Sequence, residues 1–292
     1  MSFKINKYSI LFLIIILYLI LDKIIFYDKI SIIIPTYNRD YIILNSIKSS
    51  LNQTYNNIEI IIIDDYSTDN TEKLIKKIND NRIKYLKLDK NYGASFARNI
   101  GINKANGKFI AFQDSDDIFH KDKLKKQLKN LKKFNSDMDF CKISVNINNS
   151  KYIIPKKKTE KKILKGDIFD ELITNGNFIS TQSILIKKSY IKNYLFDTRM
   201  PRLQDYDVIL RMMPNIKISY TNEVLVDLYI QNDSITNSPI KFKFALNLLL
   251  KKKYNFTLNQ NKKFLYFLKG VNRFLYRRYN ISDENINNIS KN

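Results

Sequence analysis

Three short stretches of the chain concentrate side chains able to do chemistry. Gln113-Asp114-Ser115-Asp116-Asp117 puts three carboxylates into four residues. Acids so close repel one another and lose hydration, so a fold gains nothing from them structurally. An all-oxygen cluster of this kind suits a hard cation. Asp64-Asp65-Tyr66-Ser67-Thr68-Asp69 carries three more acids. Turns favour Asp and Ser, so this stretch alone reads equally well as turn chemistry. Pro35-Thr36-Tyr37-Asn38-Arg39 adds a third polar segment.

The elements around these stretches put them together. Ile30–Ile34, Ile58–Ile63, Ile83–Leu88 and Phe109–Phe112 are short apolar runs that read as strands, the second a continuous run of the kind buried on both faces. Helical segments over Arg39–Asn52, Asn70–Ile78 and Ala94–Lys104 alternate with them. This order predicts an α/β fold, a mostly parallel sheet flanked by helices on both faces. Ligands of such sheets bind beyond the carboxyl ends of the strands. All three polar stretches follow strand ends, so one edge of the sheet becomes the expected site.

The segments SIIIPTYNR (31–39), EIIIIDDYSTDNT (59–71), NYGASFARNIGINKANGKFIAFQDSDD (91–117) and RLQDYDVILRM (202–212) resemble family 2 glycosyltransferases in order and spacing. The resemblance spans roughly residues 30–230 and implies the Rossmann-like GT-A fold, with a nucleoside diphosphate sugar as donor. It implies a donor site at Pro35, Thr36, Tyr37 and Asp65, with Asp64 supporting the turn. Asp114-Ser115-Asp116 resembles the DxD motif of that family. Asp114 is then a donor contact and Asp116 the ligand of a divalent metal, Mn2+ or Mg2+, since every candidate ligand is an oxygen. Asp117 is expected behind them. Arg98, on the helix after Gly93, offsets diphosphate charge or holds the base; as a plain helix residue it is a surface ion pair. Gln204-Asp205-Tyr206-Asp207 matches the motif that supplies the catalytic base, which makes Asp205 the base. Read without the resemblance, Asp205 is an acid in the first turn of a helix, favoured there by the helix dipole. Asp207 faces elsewhere on that helix. The implied reaction is transfer of a sugar, with inversion, to a hydroxyl of a glycan, lipid or protein acceptor. The uncharged Gly176–Ile186 is expected on the acceptor side of the cleft. The rival reading is a catalytically inactive nucleotide-sugar-binding or scaffold protein. One departure supports the rival: after the strand Val224–Tyr229 many members of that family carry a histidine, whereas this chain reads Gln231-Asn232-Asp233-Ser234. His120, the one histidine, is expected merely to start a helix, so no histidine metal ligand is expected.

The chain's ends and composition frame this core. Tyr8–Leu21 is an uncharged apolar run, extended to Tyr27 past Asp22 and Lys23. A spanning helix needs roughly 20 apolar residues, so residues 1–28 are expected to be a retained membrane anchor, with the chain at a membrane. Residues 29–235 form the expected catalytic domain. Residues 236–292 are expected as a basic, helical C-terminal region. Lys241–Asn280 holds 11 basic residues and no acid, and reads as two helices split near Asn255–Asn261. Their apolar faces either pack on the domain or lie on an anionic membrane. The net charge of +22 rests on 41 Lys and only 9 Arg, without Arg clusters, so no nucleic-acid partner is expected. The basic run Lys156–Lys165 reads as a solvated loop. A single cysteine, Cys141, excludes an internal disulfide. With 44% hydrophobic and 13% aromatic residues the chain is neither disordered nor collagen-like. No Gly-rich phosphate loop is present.

Overall fold

The fold was analysed in a computed structural model that describes residues 10–14, 16, 28–147, 150–213, 215–230 and 238–279, with side chains to 271. Its centre is a nine-stranded sheet. One half is parallel: β1 (Ile30–Thr36) lies between β2 (Ile58–Asp64) and β4 (Phe109–Phe112), and β3 (Ile83–Lys87) flanks β2. The helices α1 (Ile43–Leu51), α2 (Thr71–Lys76) and α3 (Ala94–Lys104) connect these strands. β1 and β2 are buried along their whole length. Alternate isoleucines feed opposite faces: Ile33, Ile61 and Ile63 enter one core, and Ile32, Ile34, Ile60 and Ile62 the other. Burial on both faces is why these strands are continuous isoleucine runs.

The other half is not as expected. After β5 (Ile118–Phe119) and α4 (Lys123–Lys133), β6 (Met138–Ile147) pairs antiparallel with both β7 (Ser150–Ile154) and β8 (Ile184–Lys187). β8 runs antiparallel to β4, and β9 (Ile218–Tyr229) runs parallel to β6 and antiparallel to β5. The expectation of a mostly parallel sheet is therefore corrected to a mixed sheet. Three strands and three α-helices separate β8 from β4, so no single strand–helix–strand crossover forces the pair parallel.

Between β7 and β9 lie α5 (Lys157–Ile163), α6 (Ile168–Asn175), a 3-10 turn over Thr181–Ser183, α7 (Lys188–Ile191) and α8 (Gln204–Met212). The basic run expected as a loop is thus largely the short helix α5. Two helices end the described chain, α9 (Pro239–Lys251) and α10 (Leu258–Tyr279). Ala245, Leu246, Leu249, Phe264 and Leu268 are buried in the same core as α3 and α8.

The expected membrane anchor, and with it the membrane localisation, is also corrected. Among the described residues no helix is long and apolar enough to cross a membrane. Of residues 1–28 only the helical 10–14 and 16, and Asp28, are described, and the rest of the expected anchor lies outside the described residues. So do Gln231–Ser234, the segment lacking the histidine.

A close approach seats α3 on the sheet. A Cβ on Gly101 would stand 2.4 Å from Ile33 Cγ2. Gly101→Ala should therefore destabilise the protein by about 1–3 kcal/mol through overpacking. The gain of up to about 1 kcal/mol in helix propensity offsets this only in part. Urea unfolding checks the value.

Candidate active site

The C-terminal ends of β1, β2 and β4 share one edge, and hydrogen bonds stitch their loops together. Asn38 N–H donates to Ser67 Oγ (2.9 Å), and Thr68 N–H donates back to Asn38 Oδ1 (2.9 Å). Arg39 N–H bonds Thr71 Oγ1 (2.9 Å). Asn38 and Tyr66 take positive φ values of 50° and 74° to make these turns. Asp64 supports this framework: it accepts Ser67 N–H at 2.7 Å and the Tyr85 hydroxyl at 2.6 Å. Asp65 holds the loop leading into α3, accepting Tyr92 N–H and Gly93 N–H at 2.7 Å each. Burial nevertheless raises the Asp65 carboxyl above its ordinary value, since two amide bonds do not fully replace lost hydration. Pro35 and Thr36 are buried in β1 and Tyr37 is exposed at its end. The Thr36 hydroxyl is buried without a hydrogen-bond partner.

The third loop hangs from α1. Gln113, fully buried, bonds Ser46 O (3.1 Å), Ser49 Oγ (2.8 Å) and Asp117 O (3.0 Å) through Nε2, and accepts from Ser50 Oγ. Ser46 Oγ donates to Asp114 O at 3.1 Å. A serine stripe on the inner face of α1 thus fixes the loop that carries the acids. Asp114 points into a small polar knot. Arg98 Nη2 meets its Oδ1 at 2.6 Å and Gln182 Nε2 donates to its Oδ2. Gln182 is steered in turn by Ser180 Oγ. Asp205 adjoins this knot. It accepts Tyr206 N–H at 2.8 Å and a bond from Asn177, and feels the charges of both Arg98 and Asp114. Burial is the largest influence and raises its carboxyl above the ordinary value. Arg98, Asp114 and Asp205 therefore converge from α3, the β4 loop and α8. Arg98 is no surface residue: it is 5% exposed.

Asp117 is buried behind the loop. It accepts Tyr229 N–H at 3.0 Å through Oδ1, while its Oδ2 has no partner. Burial, followed by the charges of Asp114 and Asp116, holds its carboxyl well above the usual carboxylate range. Asp114, Asp116 and Asp117 offer only oxygen donors, and one buried oxygen is unpaired. That fits a hard divalent cation. Among the described residues no three acidic, histidine or cysteine side chains converge into a closed metal cage. Mg2+-type ions are commonly held by one or two carboxylates together with substrate phosphates, which asks less of the protein. His120 stands outside the knot: its Nε2 is 2.8 Å from Asp227 Oδ2, and α4 starts only after Asp122.

Gln113, Asn177 and Gln182 lie in stretches the sequence points to, the acidic strand end and Gly176–Ile186, but no individual role was read for them. All three are uncharged, and their only signal is a polar residue next to a turn in an otherwise apolar stretch. Gln182 is held from behind by a buried network. Gln127 Nε2 donates to Ser183 O (2.8 Å) and to Asp139 Oδ1 (3.0 Å), and Asp139 also accepts from Asn130 (2.6 Å), Ser219 (2.7 Å) and Thr221 (2.8 Å).

Comparison with known proteins gives a consistent result. A family model described as Glycosyl transferase family 2 matches residues 31–195. An uncharacterised glycosyltransferase of Haemophilus influenzae is 33% identical over 236 residues, 77% of this chain and 88% of that protein. The Escherichia coli protein WfgD, named as a UDP-Glc:alpha-D-GlcNAc-diphosphoundecaprenol beta-1,3-glucosyltransferase, is 42% identical over 139 residues, 47% of this chain. The matched part spans 55% of WfgD. An uncharacterised glycosyltransferase of Rickettsia conorii is matched over only 24% of its length. The structure of S. aureus TarS 1–349 with UDP-GlcNAc superimposes with a TM-score of 0.68 at 20% identity, covering 86% of this chain and 74% of TarS. That of the Pyrobaculum calidifontis mannosyltransferase PcManGT, in complex with GDP-Man and Mn2+, gives 0.62 at 15% identity, covering 89% and 77%. Likeness at that identity establishes the shared fold.

The buried network makes a pH prediction. Burial raises Asp139 to about 6, against the pull of its four hydrogen bonds. Its folded pKa lies above the unfolded one, so its contribution is complete below about pH 4 and is lost as pH rises through about 6. Relative to wild type, Asp139→Asn should gain about 2 kcal/mol between pH 4 and 8. Urea unfolding at both pH values measures the difference.

Proposed function

The chain belongs to glycosyl transferase family 2, and from that membership we propose that it transfers a sugar, with inversion, from a nucleoside diphosphate sugar to a hydroxyl of a lipid-linked glycan. The observation that carries the reading is the convergence of Arg98 and Asp114 with Asp205, three residues far apart in sequence. Residues 29–235 are assigned to the catalytic domain, and residues 236–292 to a basic helical region behind it.

Pro35, Thr36, Tyr37 and Asp65 bind the nucleoside. Arg98 sets the orientation of Asp114, which contacts the sugar side of the donor. Asp116 would hold Mn2+ or Mg2+, with Asp117 behind it. Such a cation supplies neutralisation of the charge that builds up on the departing diphosphate. Asp205 accepts the proton of the acceptor hydroxyl. That oxygen bonds to the anomeric carbon while the bond from carbon to diphosphate oxygen breaks on the opposite face. Asn177 and the Tyr206 N–H hold Asp205 in place. The helix start, the Tyr206 N–H and the Arg98 charge favour its ionised form, against burial, which disfavours it.

Two features of relatives support the choice of substrates. WfgD is named for UDP-Glc and a diphosphoundecaprenol-linked acceptor, and the solved neighbours hold UDP-GlcNAc or GDP-Man. A UDP-sugar and a lipid-linked glycan are therefore the first pair to test, with other glycan and protein acceptors after them.

Nucleoside diphosphate release from UDP-, GDP- and dTDP-sugars, with Mn2+ and with chelator, tests the reading. One donor should give release that chelator abolishes. Asp205→Asn should lower turnover about 10²–10⁴-fold, the range for loss of a general base, while donor affinity by calorimetry stays within about threefold. Asp116→Ala should abolish metal-dependent turnover and leave the melting temperature nearly unchanged. Failure of the wild-type chain to bind any donor would instead establish the inactive scaffold.

A further inference from the structure

Asn99 follows Arg98 on α3 and so points about 100° away around the helix. Its side-chain amide is matched to the main-chain amide of Phe196, 97 residues later. Nδ2 donates to Phe196 O at 2.8 Å, and Oδ1 accepts Phe196 N–H at 2.9 Å. Only an Asn or Gln side chain offers a neutral donor and acceptor side by side for such a pairing. Phe196 lies in the loop from α7 to α8, the loop that delivers Asp205.

Phe196 touches both halves of the site. Its ring lies edge-on to Phe112 on β4, with centroids 5.3 Å apart. The Arg98 guanidinium carbon lies 5.6 Å from its centroid. Phe196 and Asp205 also line one small pocket together with Phe112, Val208 and Met212. The residues next to Phe196 are tied elsewhere. Arg211 on α8 donates to Leu195 O at 2.7 Å, and Lys252 beyond α9 meets Asp197 at 2.8 Å. Those two bonds secure the loop to α8 and to the segment after α9. The Asn99 pair secures it to the helix that bears Arg98.

We propose that Asn99 is a positioning residue for glycosyl transfer: its two hydrogen bonds to Phe196 set the separation of the Arg98–Asp114 pair from Asp205, and so the alignment of acceptor hydroxyl and donor. The proposal rests on the assignment of Asp205 as the base. Misplacement of reacting groups by about 1 Å can cost about a hundredfold in rate. The residues assigned to the nucleoside, Pro35, Thr36, Tyr37 and Asp65, lie at the ends of β1 and β2, outside the clamp. The Arg98–Asp114 pair also keeps its own direct bond, so loss of Asn99 falls chiefly on the placing of Asp205 against the donor.

The test uses the full chain and the donor identified by nucleoside diphosphate release. Asn99→Ala should lower kcat at least tenfold, with donor affinity by calorimetry within threefold of wild type. Asn99→Asp keeps an acceptor for Phe196 N–H but turns a carboxylate oxygen towards Phe196 O, so it should fall at least as far. Phe196→Leu removes the aromatic seat and leaves the Asn99 pair intact; it should also lower kcat. The double variant Asn99→Ala with Phe196→Leu should be no slower than the slower single one, since both act through one contact. A kcat within twofold of wild type in folded Asn99→Ala overturns the proposal. So does a loss that merely follows the folded fraction, or single effects that multiply in the double variant. If Asn99→Ala does not fold, Phe196→Leu decides: unchanged kcat in that variant overturns the proposal equally. Retained turnover in Asp205→Asn would instead remove the base assignment, and with it the ground for the clamp.

Discussion

Carboxylates gathered at the head of a sheet must each be matched before the fold closes over them, and the layout of this protein follows from that requirement. Unpaired, a buried charge costs several kcal/mol. Four of the acids draw partners from other elements, Asp117 through one of its two oxygens. Asp64 takes the Ser67 amide and the Tyr85 hydroxyl, and Asp65 the amides of the loop before α3. Asp114 takes Arg98 and Gln182, and Asp117 takes the amide of Tyr229. The matching groups come from α3, β9 and the turn before β8, so satisfying the acids also draws those elements together. The site is a by-product of its own charge balance as much as of the sheet.

The parallel half of the fold was legible because burial on both faces leaves no freedom in composition. The isoleucine runs of β1 and β2 announce themselves, and the acids at their ends stand out against them. The other half was not. β8 has four residues and follows a 3-10 turn, and β6 slips in register against β9 between Cys141 and Ile143. Neither leaves a periodic pattern long enough to read. The same contrast holds within the site. Asp65, Asp114, Asp116 and Asp205 were singled out because charge and motif mark them. Gln182 and Asn177 were not, because an uncharged amide has no signature until its partner is known. Asn99 was in plain view beside Arg98, yet its partner lies in a loop that no local pattern connects to α3. The N-terminal apolar run shows the opposite error: composition suggested a spanning helix that no described part of the fold supplies.

The helix α8 carries two aspartates that face opposite ways. Asp205 faces Asn177 and the Arg98–Asp114 pair. Asp207, fully buried, takes Arg211 at 3.0 Å, Lys252 at 2.6 Å and Tyr254 at 3.1 Å. Tyr254 belongs to an aromatic cluster with Phe256 and Phe264 that also meets Tyr206. The roll of α8 about its axis, and so the direction in which Asp205 points, is thus held from behind by residues near the end of the described chain.

It follows that the stretch on which the family is recognised is not a unit that can be cut out. A chain ended after β9 keeps every strand-end acid, yet strands Asp207 in the interior without its lysine and strips the aromatic backing from Tyr206. Modular grafting of this fold onto other proteins must keep α9 and the segment after it, and exchange of C-terminal segments between relatives must carry the partners of Asp207 along with the helices.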